Sequence, residues 1–233
     1  MMQDRSTLGE DRASFLARVR QALGRPPGEA PLQPPQPPQV DESLVRLAGP
    51  QDDVLAMFAQ RAAGLGMQVH QAPLSAAASK VVEILSQTGA RRVGISIGQL
   101  GQTLALDQTL RQHGLEIVDW QSLPGLDAQF DLDAGITDVQ AALAETGALV
   151  CTSGPDRSRG LSLIPPVHVA LVRRSDILPD MIDYWQQVAS SPADLPSSTV
   201  FIAGPSKTAD IEGELVVGVH GPGQVHIILM PDT

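Results

Sequence analysis

Apolar residues recur along this chain with two alternating periods. Val54, Leu55, Phe58, Ala62 and Leu65 fall on one helical face, which predicts a helix over 53–65. Val81, Val82, Ile84 and Leu85 predict a second helix opened by Ser75, and a third runs from Leu104 to Gln112 before Gly114. Between them stand short runs of strand length, Met67 to Gln71, Arg92 to Ser96 and Leu115 to Trp120. Thr137-Asp-Val-Gln140 matches a capping box, so the stretch up to Gly147 reads as a helix. Further strands are expected at Ala148 to Thr152, Val167 to Val172, Val200 to Ala203 and Gln224 to Met230, with a helix from Ile177 to Val188. This alternation predicts an α/β fold, a mainly parallel sheet in three layers with both faces covered. Ligands in such sheets gather at the carboxyl ends of strands, which points to the loops after Ile95, Cys151 and Ala203.

The first forty residues follow a different pattern. Asp11 to Leu23 forms one short helical stripe of Phe15, Leu16, Val19 and Leu23. Residues 25–40 carry seven prolines, which forbid regular helix and favour an extended spacer. The expected organisation is an N-terminal helix and Pro-rich linker over 1–40 and one α/β domain over 41–233.

Charge and cysteine content narrow the chemistry. The formal net charge is −10, which argues against nucleic acid as a partner, although a local basic loop can hold a small anion. Cys151 is the only cysteine, so no internal disulfide and no four-cysteine cluster can form within one chain. That usage fits a cytoplasmic location. No run of about 18 apolar residues suggests membrane insertion, and the charged first twenty residues lack a signal-peptide core. No His, Cys or Asp spacing suggests a metal site. Gly94, Gly98 and Gly101 miss the dinucleotide-binding spacing. Cys151, His168 and His226 sit inside strand candidates and read as core or edge residues.

Four segments remain as carriers of function. Gly204-Pro-Ser-Lys-Thr-Ala-Asp-Ile-Glu212 follows an apolar strand and combines the Ser206 and Thr208 hydroxyls, the Lys207 cation and the Asp210 carboxylate. Such a loop can hold an anion and place an acid or base beside it. It is not a Walker A loop, because Ser206 stands where that motif needs glycine. Glu145, expected in the last turn of its helix, would oppose the helix dipole, a placement that suggests a catalytic acid–base or nucleophilic duty. Ser153 to Leu161 carries Arg157 and Arg159 among small residues, a setting suited to capturing a carboxylate or phosphate. His220, in the Gly- and Pro-rich turn near 219–223, is a candidate acid or base. Each segment also has a plain structural reading as a polar loop, a solvated glutamate or a turn.

Taken together, the segments resemble a known family. Gly135-Ile-Thr-Asp, Ala144-Glu-Thr-Gly-Ala-Leu-Val, Ser162-Leu-Ile-Pro-Pro-Val-His168, Gly204 to Glu212 and Val217-Gly-Val-His-Gly-Pro222 resemble the LUD domain family, and within it the lactate-utilisation protein C group. Lys207 departs from that pattern, since many members carry Arg there; an ammonium is a point charge and not a fork. The resemblance implies a fold like that of NagB, RpiA and the CoA-transferases. It also implies a cytoplasmic subunit supporting oxidation of L-lactate to pyruvate. No cofactor would be bound by this chain, and iron–sulfur clusters would sit in partner proteins. The family does not itself define catalytic residues; from the chemistry of the side chains at these motif positions, Glu145, Asp210 and His220 are expected to be catalytic, with Arg157, Ser206, Lys207 and Thr208 holding a small carboxylic acid as substrate or effector around one pocket. A stand-alone CoA-transferase-like or sugar-phosphate-isomerase-like enzyme, or a non-catalytic assembly or regulatory subunit, remain as alternatives.

Overall fold

A computed structural model describes residues 11–25, 41–49, 51–191, 195–211 and 214–231. The Pro-rich segment expected as a linker lies outside the described residues apart from its first position. The chain divides into two units, one ending at Leu44 and one beginning at Val45. In the first, Asp11 caps helix α1 (Arg12–Ala22), accepting from the Ala13 and Ser14 amides at 2.9 and 3.1 Å.

The second unit is built on six parallel strands. Its elements begin with α2 (Val54–Gly64), β1 (Gln68–Gln71), α3 (Leu74–Thr88), β2 (Arg92–Ser96), α4 (Gln99–Thr103), α5 (Leu106–Gln112) and β3 (Glu116–Val118). After two 3-10 turns come β4 (Ala134–Asp138), β5 (Ala141–Leu143), β6 (Ala148–Thr152), a 3-10 turn at Gly160–Ser162, β7 (Val167–Arg173) and β8 (Ile177–Leu178). The chain continues through α6 (Met181–Ser190), β9 (Thr199–Ile202), the hairpin β10 (Lys207–Ile211) and β11 (Glu214–Val217), and β12 (Gln224–Met230). The parallel sheet has the order β1-β12-β7-β4-β2-β3, and a second sheet has the order β8-β5-β6-β9.

Strand alternation explains the layers. Ile136 of β4 and Val169 and Leu171 of β7 face α3 and α5, packing on Val81, Ile84, Leu85 and Leu110. Ala170, Val172, Ile227 and Leu229 face the other way, onto Phe58 and Ala62 of α2 and Ala142 and Leu149 of the second sheet. Tyr184 of α6 packs with Ala141, Leu143 and Val150 on the outer side of that second sheet. Both faces of the parallel sheet are therefore covered, one by helices and one largely by a smaller sheet.

The helix expected over 137–147 is absent. Thr137 pairs within the parallel ladder with Ser96 on one side and Ala170 on the other. Ala141 to Ala144 are fully buried and pair with β6 and β8. A short apolar run buried all round has no helical period, and the Thr/Gln spacing was a coincidence of composition. Residues 144–147 are a four-residue hairpin turn closed by the Gly147 amide on Leu143 O at 2.8 Å. Gly147 has φ of 71°, and a Cβ there would meet the Ala62 amide at 2.5 Å, so only glycine fits. The last helix also starts later than expected, because Ile177 and Leu178 pair with β5 and Asp180 caps α6.

Candidate functional site

Chain connectivity places one crevice by itself. From β2 the chain moves outward to β3, whereas from β4 it moves inward to β7. Neighbouring parallel strands whose exits diverge form a switch point, and a crevice opens at their carboxyl ends. Ser96 ends β2 and Thr137-Asp138 ends β4. The loop from Ser153 to Ser162 folds over this point. Glycine makes its approach possible: Gly94 and Gly135 are register partners in β2 and β4, and a Cβ on Gly135 would lie 1.9 Å from Leu161 O. The Ser158 amide donates to Ser96 Oγ at 2.8 Å, which pins the loop to the strand end.

Asp138 and Arg157 face one another across this crevice. Burial raises the Asp138 carboxyl above the ordinary carboxylate range, while the Arg157 charge and the Gly98 amide act in the opposite sense. Arg157 Nη1 donates to Thr152 Oγ1 at 3.2 Å and also to Gln140 Oε1. A cavity of about 880 Å³ opens beside them, with Gln140, Thr152, Arg157 and Tyr184 in its wall. Beneath the loop, Thr137 Oγ1 and His168 Nε2 are 2.9 Å apart and fully buried. Burial holds His168 neutral, with its pKa lowered to about 4, and pushes the Cys151 thiol up to about 12. Cys151 is thus inert packing rather than a nucleophile. The arrangement offers a cation, a carboxyl biased toward its neutral form and several hydroxyls in one recess, enough to orient a small anion and hold a proton beside it.

The residues expected around one pocket are divided between the two ends of the sheet. Arg157 lies at the strand carboxyl ends. Ser206 and Lys207 lie at the other end, because β9 runs antiparallel to β6 and delivers the chain downward. The Ser206 amide donates to Pro222 O at 2.8 Å, just before β12 begins. Lys207 Nζ donates to Leu65 O at 3.3 Å, capping the C-terminal end of α2. Thr208 pairs with Val216 in the hairpin, and His220 is exposed in the turn that follows it. The Asp210 side chain lies outside the described residues. Glu145 sits in the β5–β6 turn, near Gly64 and Leu65, and its Oε1 accepts from the Leu47 and Ala48 amides at 2.5 and 2.7 Å. It is not at a helix end, so the dipole argument for it falls away. The sequence reading missed Ser96, Asp138, Gln140 and Thr152. The strand-end rule after Ile95 and Cys151 pointed toward them, but the rule fails for Ala203 because its strand is antiparallel.

The LUD domain profile matches residues 55–230. The chain belongs to the LUD domain family. Two full-length relatives of this LUD chain are called lactate utilization protein C. The one from Exiguobacterium sp. is 31% identical over 231 residues, covering 95% of this chain and 96% of the relative. The one from Halalkalibacterium halodurans is 29% identical over 227 residues, covering 95% and 98%. A crystal structure of a DUF162 family protein from Deinococcus radiodurans matches with a TM-score of 0.58 at 20% identity, covering 76% of this chain and 96% of that one. That likeness shows the mainly parallel α/β fold to be the fold of the neighbour as well. Among the described residues of this LUD chain no helix is long and apolar enough to cross a membrane, and no cluster of three metal-ligating side chains occurs.

Proposed function

We propose that this LUD protein serves lactate utilisation in the cytoplasm, supporting oxidation of L-lactate to pyruvate together with iron–sulfur partner proteins. Its likeness over 95% of its length to a protein called lactate utilization protein C carries the reading. The switch-point crevice is where a three-carbon acid would bind. Arg157 would hold the carboxylate through its free donors, Thr152 and Gln140 would orient the hydroxyl, and Asp138 would hold or accept a proton there. No cofactor is assigned to this chain; the electrons released from lactate pass to clusters in the partners.

The test is lactate-dependent dye reduction in an extract lacking only this chain. Activity should return in proportion to purified protein added back, and Arg157→Gln should fail to restore it while remaining folded. Normal activity in the extract without the chain would end the lactate reading. A purely assembling role has one observation in its favour, the exposed Leu215, Val217 and Val219 of the β11 side of the hairpin. Under that role Arg157→Gln would restore activity fully, and Leu215→Asp would not.

A further inference from the structure

A second cavity lies next to the switch-point crevice, about 400 Å³ in volume, within the usual range for small-ligand sites. It is bounded by the 3-10 turn Trp120–Ser122, by Gln129, by the loop residues Arg157 to Gly160 and by Ser197 and Ser198. Its charge is unusual for this chain. The protein carries 26 acidic against 16 basic residues, yet two arginines and no carboxylate line this cavity. The neighbouring acids are turned elsewhere. Asp119 caps the 3-10 turn, accepting from the Gln121 amide at 3.0 Å, and Asp156 lines the larger cavity.

Both guanidiniums keep donors free. Among the described residues neither Arg157 nor Arg159 makes an ion pair. Arg159 Nη1 donates to Ser198 Oγ at 2.9 Å, and the Arg157 bonds also use Nη1 alone. A further group waits for a partner. Gln129 is buried, lines the cavity, and its Oε1 has no hydrogen-bond partner. A buried amide oxygen without a donor is costly; this one is shielded from solvent, so a ligand N–H or O–H relieves it only where the Gln129 amide turns outward into the cavity. Gly160 makes room for that amide, since a Cβ there would stand 2.0 Å from Gln129 Oε1.

We infer that this cavity binds a phosphate-bearing small molecule. The phosphate sits between Arg157 and Arg159 with serine hydroxyls around it, and the organic part lies against Trp120 and donates to Gln129. A monocarboxylate needs one guanidinium fork; Asp138 faces Arg157 from the crevice side and Arg159 pairs with no acid among the described residues, so two guanidiniums against one carboxyl leave charge for a phosphate. The inference does not rest on the lactate reading, although this cavity shares Ser153, Arg157 and Ser197 with the wall of the larger one.

The test uses the purified full chain carrying Trp185→Phe, so that Trp120 is the sole indole. Tryptophan fluorescence and calorimetry follow titration with inorganic phosphate, pyrophosphate, AMP and L-lactate. AMP or pyrophosphate should bind about tenfold or more tightly than lactate and perturb Trp120. Arg159→Gln should weaken that binding about tenfold or more, while Arg111→Gln, whose guanidinium pairs with Asp107 on α5, leaves it unchanged. Tighter binding of AMP than of pyrophosphate assigns the organic part to the Trp120 wall, and equal binding assigns recognition to the phosphate alone. No saturable binding of any phosphate probe, or binding that ignores Arg159→Gln, overturns the inference. Lactate oxidation is measured separately with the partners present, so failure of this inference and failure of the lactate reading are distinguishable.

Discussion

Replacing Gly135 with alanine tests how the crevice is made. Gly135 is the second residue of β4, where alanine would ordinarily stabilise by about 0.4–1 kcal/mol through the unfolded chain. Here the new methyl would stand 1.9 Å from Leu161 O and 2.8 Å from its carbonyl carbon. Backbone cannot rotate away as a side chain can, so the Gly160–Ser162 turn must withdraw by about 1 Å to reach the closest distance that Cβ atoms adopt. Overpacking of this kind costs about 1–3 kcal/mol. Stretching the Ser158–Ser96 hydrogen bond, 2.8 Å in the native protein, costs about 1 kcal/mol more. The net expectation is a loss of about 1–3.5 kcal/mol, which in a domain of this size lowers Tm by about 2–14 °C. The register partner supplies the control. A Cβ on Gly94 meets only side-chain methyls, Leu161 Cδ2 at 2.5 Å and Leu132 Cδ1 at 2.9 Å, which can yield, so Gly94→Ala should cost roughly half as much. Urea unfolding of both variants gives the comparison, and calorimetry with pyrophosphate reports whether the loop still presents its arginines. The reasoning fails if Gly135→Ala melts within a degree of wild type, or if Gly94→Ala is the more damaging.

Further outcomes follow from the buried groups and the clamps. The His168 pKa of about 4 lies below the ordinary 6.5, so the unfolded chain binds the proton first. Its contribution is complete above pH 6.5 and is lost as pH falls toward 4, roughly 3 kcal/mol in all, and urea midpoints across that window should show a slope that His168→Gln flattens. Asp138 behaves with the opposite sign: its carboxyl is raised by burial, so its ionisation weakens the fold as pH rises through the raised pKa. Asp138→Asn should therefore stabilise the protein at pH 7, with a gain that vanishes below the ordinary carboxylate range; equal stability at pH 7 would contradict the buried environment. Glu145→Ala releases the Leu47 and Ala48 amides and should cost about 1–2 kcal/mol, read as faster proteolysis near 41–49. Lys207→Ala removes a cation from the carbonyl end of α2 and should cost at most about 1 kcal/mol in thermal melts.

Much of the scaffold was legible because period and burial coincide. The α2 stripe of Val54, Phe58 and Ala62 has a helical repeat, and Val167 to Val172 is buried on both faces, as a central parallel strand must be. The errors arose where period carried no information. Ala141 to Ala144 is too short and too uniformly apolar to show whether it winds or extends, and a Thr/Gln pair at cap spacing tipped the reading toward helix. That error placed Glu145 at a helix end and gave it a chemical duty, whereas the turn uses it to tie down the start of the domain. The site suffered from a related blindness. Strand direction is invisible in composition, so the 204–212 loop was assigned to the ligand-binding end although β9 runs the other way. Asp138 and Ser96 looked ordinary in sequence; only the divergence of β2 and β4 makes them the mouth of a crevice.

Arg157 joins the two cavities into one physical system. It lines both, and its charge lowers the pKa of Asp138 against the rise that burial imposes. A dianion drawn to the acid-free cavity competes for that same guanidinium. With its charge neutralised there, Arg157 offsets the burial of Asp138 less, so the carboxyl moves further toward its protonated form. Coupling of this kind is reciprocal: a small carboxylate seated in the crevice must weaken the phosphate site by the same factor. Two ligands that share one cation are therefore antagonists unless the second arrives with a proton, in which case Asp138 takes the proton and the antagonism becomes pH-dependent. Arg157, shared by the two cavities, and the proton on Asp138 together set the sign of that exchange.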